Sequence, residues 1–110
     1  MKKAVIIIKT NGRYKGMTKD QLWQEIECKR KAKKLGYEVE PNNIFYDTSF
    51  SSNWAERIEI QLALAKCIIP ENNIGALITV IKENISKNIA ELSKTREILK
   101  LYGVSLITLE

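Results

Sequence analysis

The chain has no histidine. That absence removes the side chain whose ordinary pKa suits it to proton transfer near neutral pH. With it go His-based acid–base catalysis, Ser-His-Asp triads and imidazole metal ligation. Cysteine is almost as scarce: Cys28 and Cys67 stand far apart, without the paired spacing of a zinc site. They read as small apolar fillers in a reducing compartment, and no metal or other cofactor is expected. Long apolar runs are missing too. After Lys2 and Lys3 the apolar stretch Ala4 to Ile8 is too short for a signal peptide or a membrane span. The chain is therefore expected in the cytoplasm, with no membrane partner. It also lacks internal repeats, low-complexity segments and an interdomain linker.

What is present has the balance of one globular domain. Of 110 residues, 45% are hydrophobic and 28% charged, enough for a single core without a second module. Lys and Arg outnumber Asp and Glu by 18 to 13, a net charge of +5. That favours polyanionic partners without requiring one, because a charge of this size also serves solubility.

The Ala4–Ile8 segment is continuously apolar and mostly β-branched, the pattern of a strand buried on both faces of a parallel sheet. A polar loop, 9–16, follows, with Gly12 and Gly16. A helix is expected from Thr18, with Gln21 at capping-box spacing, an apolar face of Leu22, Ile26, Ala32 and Leu35, and a stop at Gly36. Its second half carries Lys29, Arg30, Lys31, Lys33 and Lys34, where the helix dipole favours positive charge. Tyr37–Glu40 is a short candidate strand, and Ile44–Tyr46 resumes the extended path after Pro41. A Ser-rich loop spans 47–53. A second helix is expected from near Asn53, with Glu56 at the capping-box position. It has two apolar stripes: Trp54, Ile58, Leu62 and Ala65 on one side, Ile60, Leu64 and Cys67 on the other. Only one stripe can face the sheet. The second should be covered by the 68–75 turn, by a missing downstream helix or by a second copy of the chain, and the last of these predicts a weak homo-oligomer through Ile60 and Leu64. Ala76–Ile81 is a third buried strand. A last helix is expected over 86–102, with Ile85, Ile89, Leu92 and Leu99 inward, and a last strand over Val104–Leu109.

This β-α-β-α-β-α-β order predicts the α/β class: a three-layer α/β/α domain around a mostly parallel sheet of about four strands. Chemistry in such sheets sits beyond the carboxyl ends of the strands. Here those ends are the Thr10 loop, the loop after Asp47 and the segment 82–87.

Those three loops carry a resemblance. Ile8-Lys9-Thr10-Asn11 stands where the serine recombinases (resolvase/invertase family) have Arg-Val-Ser-Thr. Gln24, Ala32 and Gly36 match the spacing of that family's glutamine, alanine and glycine. Asp47 through Ser51, then Arg57 and Lys66, follow its Asp, Ser-Gly, Arg and Lys. Glu83-Asn84-Ile85-Ser86-Lys87 occupies the place of its Asp-Arg-Leu-Ser/Gly-Arg motif, and Gly103-Val104 the place of its later Gly-Val. The sequence thus resembles a serine recombinase catalytic domain over nearly its whole length, with no single motif intact. The resemblance implies a resolvase-like fold and a role in site-specific DNA recombination and the integration of mobile elements. In the family, a serine oxygen attacks a DNA phosphodiester. The site residues carried over are Thr10 at the nucleophile position, Gln24, Asp47, Ser51, Arg57, Lys66, Glu83 and Lys87. The resemblance also implies a downstream dimerisation helix and DNA-binding region. This chain stops at Glu110 without them, as a piece of a longer protein or as a stand-alone remnant.

Three arginine positions of the family hold Ile8, Asn84 and Lys87. Guanidiniums stabilise the charge that builds on the attacked phosphate, and removing one such group costs about 10²–10³ in rate. Lysine does not reproduce the planar fork, and the threonine methyl crowds an in-line attack. Impaired catalysis is the expectation, with weak, sequence-independent DNA binding by this chain alone. Each residue also has a plainer reading. Thr10 suits a strand end bonded to its own loop, Asp47 and Ser51 suit a turn, and Gln24 and Lys66 suit a helix surface. Arg57 suits a surface ion pair, and Glu83 with Lys87 an i,i+4 pair. A rival reading is a flavodoxin-like domain that binds a phosphate or small molecule at the Thr10–Gly16 loop.

Overall fold

A computed structural model describes residues 1–10, 19–49 and 53–110. Four strands, β1 (Lys3–Lys9), β2 (Ile44–Asp47), β3 (Ile74–Thr79) and β4 (Ser105–Thr108), form one sheet in the order β2-β1-β3-β4. All its pairings are parallel. Three α-helices alternate with them: α1 (Lys19–Lys34), α2 (Ile58–Ile68) and α3 (Ile89–Leu101). This is the expected α/β architecture. Among the described residues no helix is long and apolar enough to cross a membrane.

The unbroken apolar run of β1 has a simple cause. Val5 and Ile7 point into one core with Leu77, Ile60, Ala63, Cys67, Leu92 and Leu99, beneath α2 and α3. Ala4, Ile6 and Ile8 point into the opposite core with Ala76, Ile78, Cys28 and Ala32, beneath α1. A strand covered on both sides has no solvent face, so alternation disappears. Gly36 and Gly103 end α1 and α3 with φ of +86° and +75°, a conformation that glycine adopts without a Cβ clash.

The helix faces depart from expectation. In α1 the sheet side is Gln21, Gln24, Cys28 and Ala32, while Leu22, Ile26 and Leu35 are exposed. Two buried glutamines, Gln21 and Gln24, occupy the inner face, and the predicted apolar stripe is rotated outward. In α2 the stripe expected to need other cover is the inner one. Ile60 and Cys67 are buried against the sheet and Leu64 packs on that core, so the expected dimer contact through Ile60 and Leu64 is corrected. Ile58 and Leu62 are the exposed pair.

The second helix is also broken. Trp54–Glu56 is a 3₁₀ turn in which the Asn53 side chain accepts from the Ala55 N–H. Arg57 leaves helical geometry (φ −102°, ψ 75°), and α2 begins after it. The expected Tyr37–Glu40 strand contributes only a single bridge, Lys3 to Glu38. The last helix starts at Ile89 behind an Asn88 cap, whose side chain accepts from the Glu91 N–H. Ile89 is 82% exposed rather than inward.

Candidate functional site

The carboxyl ends of β1 and β2 and the turn after β3 meet in one hydrogen-bonded cluster. Lys9 lies opposite Asp47 in the parallel register. Asp47 is buried, and its Oδ2 accepts from Arg57 Nε (3.1 Å), Arg57 Nη2 (2.7 Å) and Lys9 Nζ (3.2 Å). Its Oδ1 accepts from the Ser49 N–H at 3.1 Å. Lys9 Nζ also donates to the Ser49 carbonyl. Burial alone would push the Asp47 carboxyl up; the Arg57 hydrogen bonds, the Ser49 amide and Lys9 outweigh it and hold the group below the usual carboxylate range.

Arg57 is buried as well. Beyond Asp47 it donates from Nη1 to the Ile85 carbonyl (2.8 Å) and from Nη2 to the Asn84 carbonyl (2.5 Å). The Trp54 indole N–H also reaches the Ile85 carbonyl, at 2.9 Å. The break before α2 therefore has a structural partner: the residues on both sides of it hold the turn after β3. That turn is tied to the sheet by a second route. Asn84 Nδ2 donates to Thr79 Oγ1 (3.0 Å), which donates to the Ile7 carbonyl (2.9 Å).

Gln24 explains the inner face of α1. Its Oε1 accepts from the Lys9 N–H at 3.1 Å, and its Nε2 donates to the Lys9 carbonyl at 3.0 Å and to Asp20 Oδ2 at 2.9 Å. The β1–β3 pairing extends only to Ile6 and Ile78. The neighbouring Thr10 N–H faces β2, so the Lys9 peptide groups point the other way, where β3 no longer supplies partners. A side-chain amide, with one donor and one acceptor end, completes the ladder there.

Thr10 is buried, and its hydroxyl donates to the Asp47 carbonyl at 3.2 Å, beside its own N–H at 2.9 Å. The bond crosses to the end of β2. Thr10, Gln24, Asp47 and Arg57 are thus brought together. Ser51, the Gly12–Gly16 part of the first loop and the Thr18 cap lie outside the described residues. Lys66 is not brought in. It sits near the far end of α2, donating to the Asn42 carbonyl (2.8 Å) and Asn43 Oδ1 (2.7 Å), with its ammonium 5.8 Å from the Phe45 ring centre. Glu83 and Lys87 are exposed and form no ion pair among the described residues. Glu83 lies in a 3₁₀ turn and α3 starts only at Ile89, so the i,i+4 geometry that would pair them never forms.

Of the positions where arginines were expected, Ile8 is wholly buried in the core under α1, and Asn84 is buried and committed to Thr79. Sequence reasoning missed Lys9 and Trp54 as members of the cluster. The signal for Lys9 was its place: a cation that ends a buried strand, one residue before Thr10. Among the described residues no cluster of His, Cys, Asp or Glu could hold a metal ion.

No family model matches the sequence, and no curated protein does. Solved structures do. The C-terminal catalytic domain of ISC1926 TnpA, an IS607-like serine recombinase, aligns with a TM-score of 0.77 at 15% identity, over 98% of this chain and 70% of that one. The N-terminal catalytic domain of TP901-1 integrase gives 0.74 at 16% identity, over 98% and 77%. A resolvase family site-specific recombinase from Streptococcus pneumoniae gives 0.70 at 17%, over 98% and 72%. This chain has the fold of a serine recombinase catalytic domain.

Proposed function

We propose that the chain is a serine-recombinase-like domain that takes part in site-specific DNA recombination without cleaving DNA itself. One observation carries the reading: Ile8, where the resemblance has an arginine, is a fully buried core residue. Among the described residues the other cations do not compensate. Arg57 makes four hydrogen bonds to Asp47, Asn84 and Ile85, and a guanidinium so engaged is not available to a phosphate. The Thr10 hydroxyl already donates to the Asp47 carbonyl. Among the described residues Lys9, Lys82 and Lys87 on these strand-end segments have solvent access, and a lysine does not offer the planar fork that grips a phosphate in two places.

Such a domain acts in the cytoplasm through contacts to the DNA backbone and to protein, and it self-associates weakly. The test is incubation with nicked suicide substrates, which trap the family's covalent phosphoserine intermediate. The expected result is no protein–DNA adduct. An adduct that forms and then disappears in Thr10→Ala overturns the reading.

A further inference from the structure

We propose that the groove between the outer side of α1 and the end of β4 is a track for single-stranded DNA, with Trp23 as its stacking platform and Lys31 and Lys34 as its phosphate contacts. Because Gln21, Gln24, Cys28 and Ala32 take the sheet side of α1, Trp23 is displaced to the flank of the helix. It stays 49% exposed. The indole borders two depressions. One, of about 340 Å³, runs down the basic half of α1 beside Arg30, Lys31, Lys34 and Leu109. The other, of about 380 Å³, runs to Lys9, Gln24 and Asn84 at the candidate site. Trp23 stands where the two adjoin, so together they lead from the lysines to the ends of the strands.

The chemistry fits an unpaired strand. Trp23 and Lys34 share a helix face at i,i+11, about 16 Å apart along the axis. Neither Lys31 nor Lys34 has an acidic partner among the described residues. Glu27, on the same stripe, is held by Arg30 at 2.6 Å. The indole lies in a concavity walled by Leu109 and Glu110. An unstacked base can lie on the exposed ring, whereas the bases of an intact duplex stay stacked on one another. Glu110 borders both depressions and opposes a polyanion. Its removal gives the test a variant that should gain affinity.

From the recombination reading this inference takes only its choice of DNA among polyanions. Its test is a binding measurement, which a negative cleavage assay leaves intact. The intact chain is titrated with a fluorescent 12-residue oligothymidylate, with the matching dT·dA duplex and with phosphatidylglycerol vesicles. The single strand should bind more tightly than the duplex and quench indole emission. Trp23→Ala should weaken it about ten-fold or more. Lys31→Gln with Lys34→Gln should lower the slope of log affinity against log salt by about 1.4, at about 0.7 per contact. Glu110→Gln should tighten binding. These side chains lie at the surface, so circular dichroism should show each variant folded. Unchanged affinity in Trp23→Ala, a duplex bound as tightly as the single strand, or binding to vesicles and not to the oligonucleotide each overturns the proposal.

Discussion

Asp47 and Arg57 form a buried ion pair in which one carboxylate oxygen, Oδ2, takes both Nε at 3.1 Å and Nη2 at 2.7 Å. The pair joins the end of β2 to the break before α2, and the remaining bonds of Arg57 carry the link on to Asn84 and Ile85. Two consecutive βα connections, β2–α2 and β3–α3, are thereby fastened at one guanidinium.

Removing Asp47 takes away the carboxylate that faces the buried Arg57 charge, and removing Arg57 leaves Asp47 with only the partly exposed Lys9 ammonium. Arg57→Ala and Asp47→Ala should each destabilise the fold by about 3–5 kcal/mol. Urea unfolding should show the midpoint falling at constant m-value. The double variant Asp47→Asn with Arg57→Met should lose less than the sum of the single losses, because no buried charge is then left unpaired.

Acid should weaken the same junction. The Asp47 carboxyl is held below its ordinary value of 3.8 in the folded chain. Its stabilising contribution is therefore complete above the unfolded value and is lost as pH falls through the lower folded value. Stability measured from pH 6 downward should decline steeply below about pH 4. The decline should be shallower in Asp47→Asn, and an identical pH profile in that variant would refute the assignment.

Gln24 should matter more than a polar helix residue usually does. Gln24→Leu keeps the bulk and removes both partners of the Lys9 peptide groups, at about 1–3 kcal/mol for each group left unsatisfied. Hydrogen exchange at the Lys9 amide should accelerate with the loss. Gln24→Glu keeps the acceptor but turns a carboxylate oxygen toward the Lys9 carbonyl and the Asp20 carboxylate, so it should be no milder than Gln24→Leu.

The orientation of α2 gives a paired prediction. Ile60→Ala empties a fully buried position and should cost about 2–5 kcal/mol. Ile58→Ala, at an exposed position, should stay within about 0.5 kcal/mol of the parent. Thermal unfolding of both separates this arrangement from the reverse, in which Ile58 would be the costly loss.

The strands were legible in the sequence because parallel, doubly covered β-structure writes itself as unbroken apolar runs, and β1 and β3 are such runs. The helix faces were not. Apolar periodicity assigned Leu22 and Ile26 to the inside of α1. It has no means of seeing that β3 diverges before Lys9 and that a buried amide must take its place. In α2 two apolar stripes compete, and only the packed sheet chooses Ile60 over Ile58. At the site, local spacing around a strand end singled out Thr10, Asp47 and Arg57, which the structure places in contact. Lys66 is different: it lies nine residues beyond Arg57 in chain order, about 13 Å along a helix that runs away from the cluster.

The burial of Ile8 limits what one substitution could add at this position. At a surface position a single change could place a charge cheaply. Here Ile8→Arg would force a guanidinium into a dry core filled by Ile6, Cys28, Ala32 and Ile78. The penalty is several kcal/mol, a large share of the stability a domain this size holds. A cation at this strand end would need the core around α1 to open first, so the packing itself bars the charge.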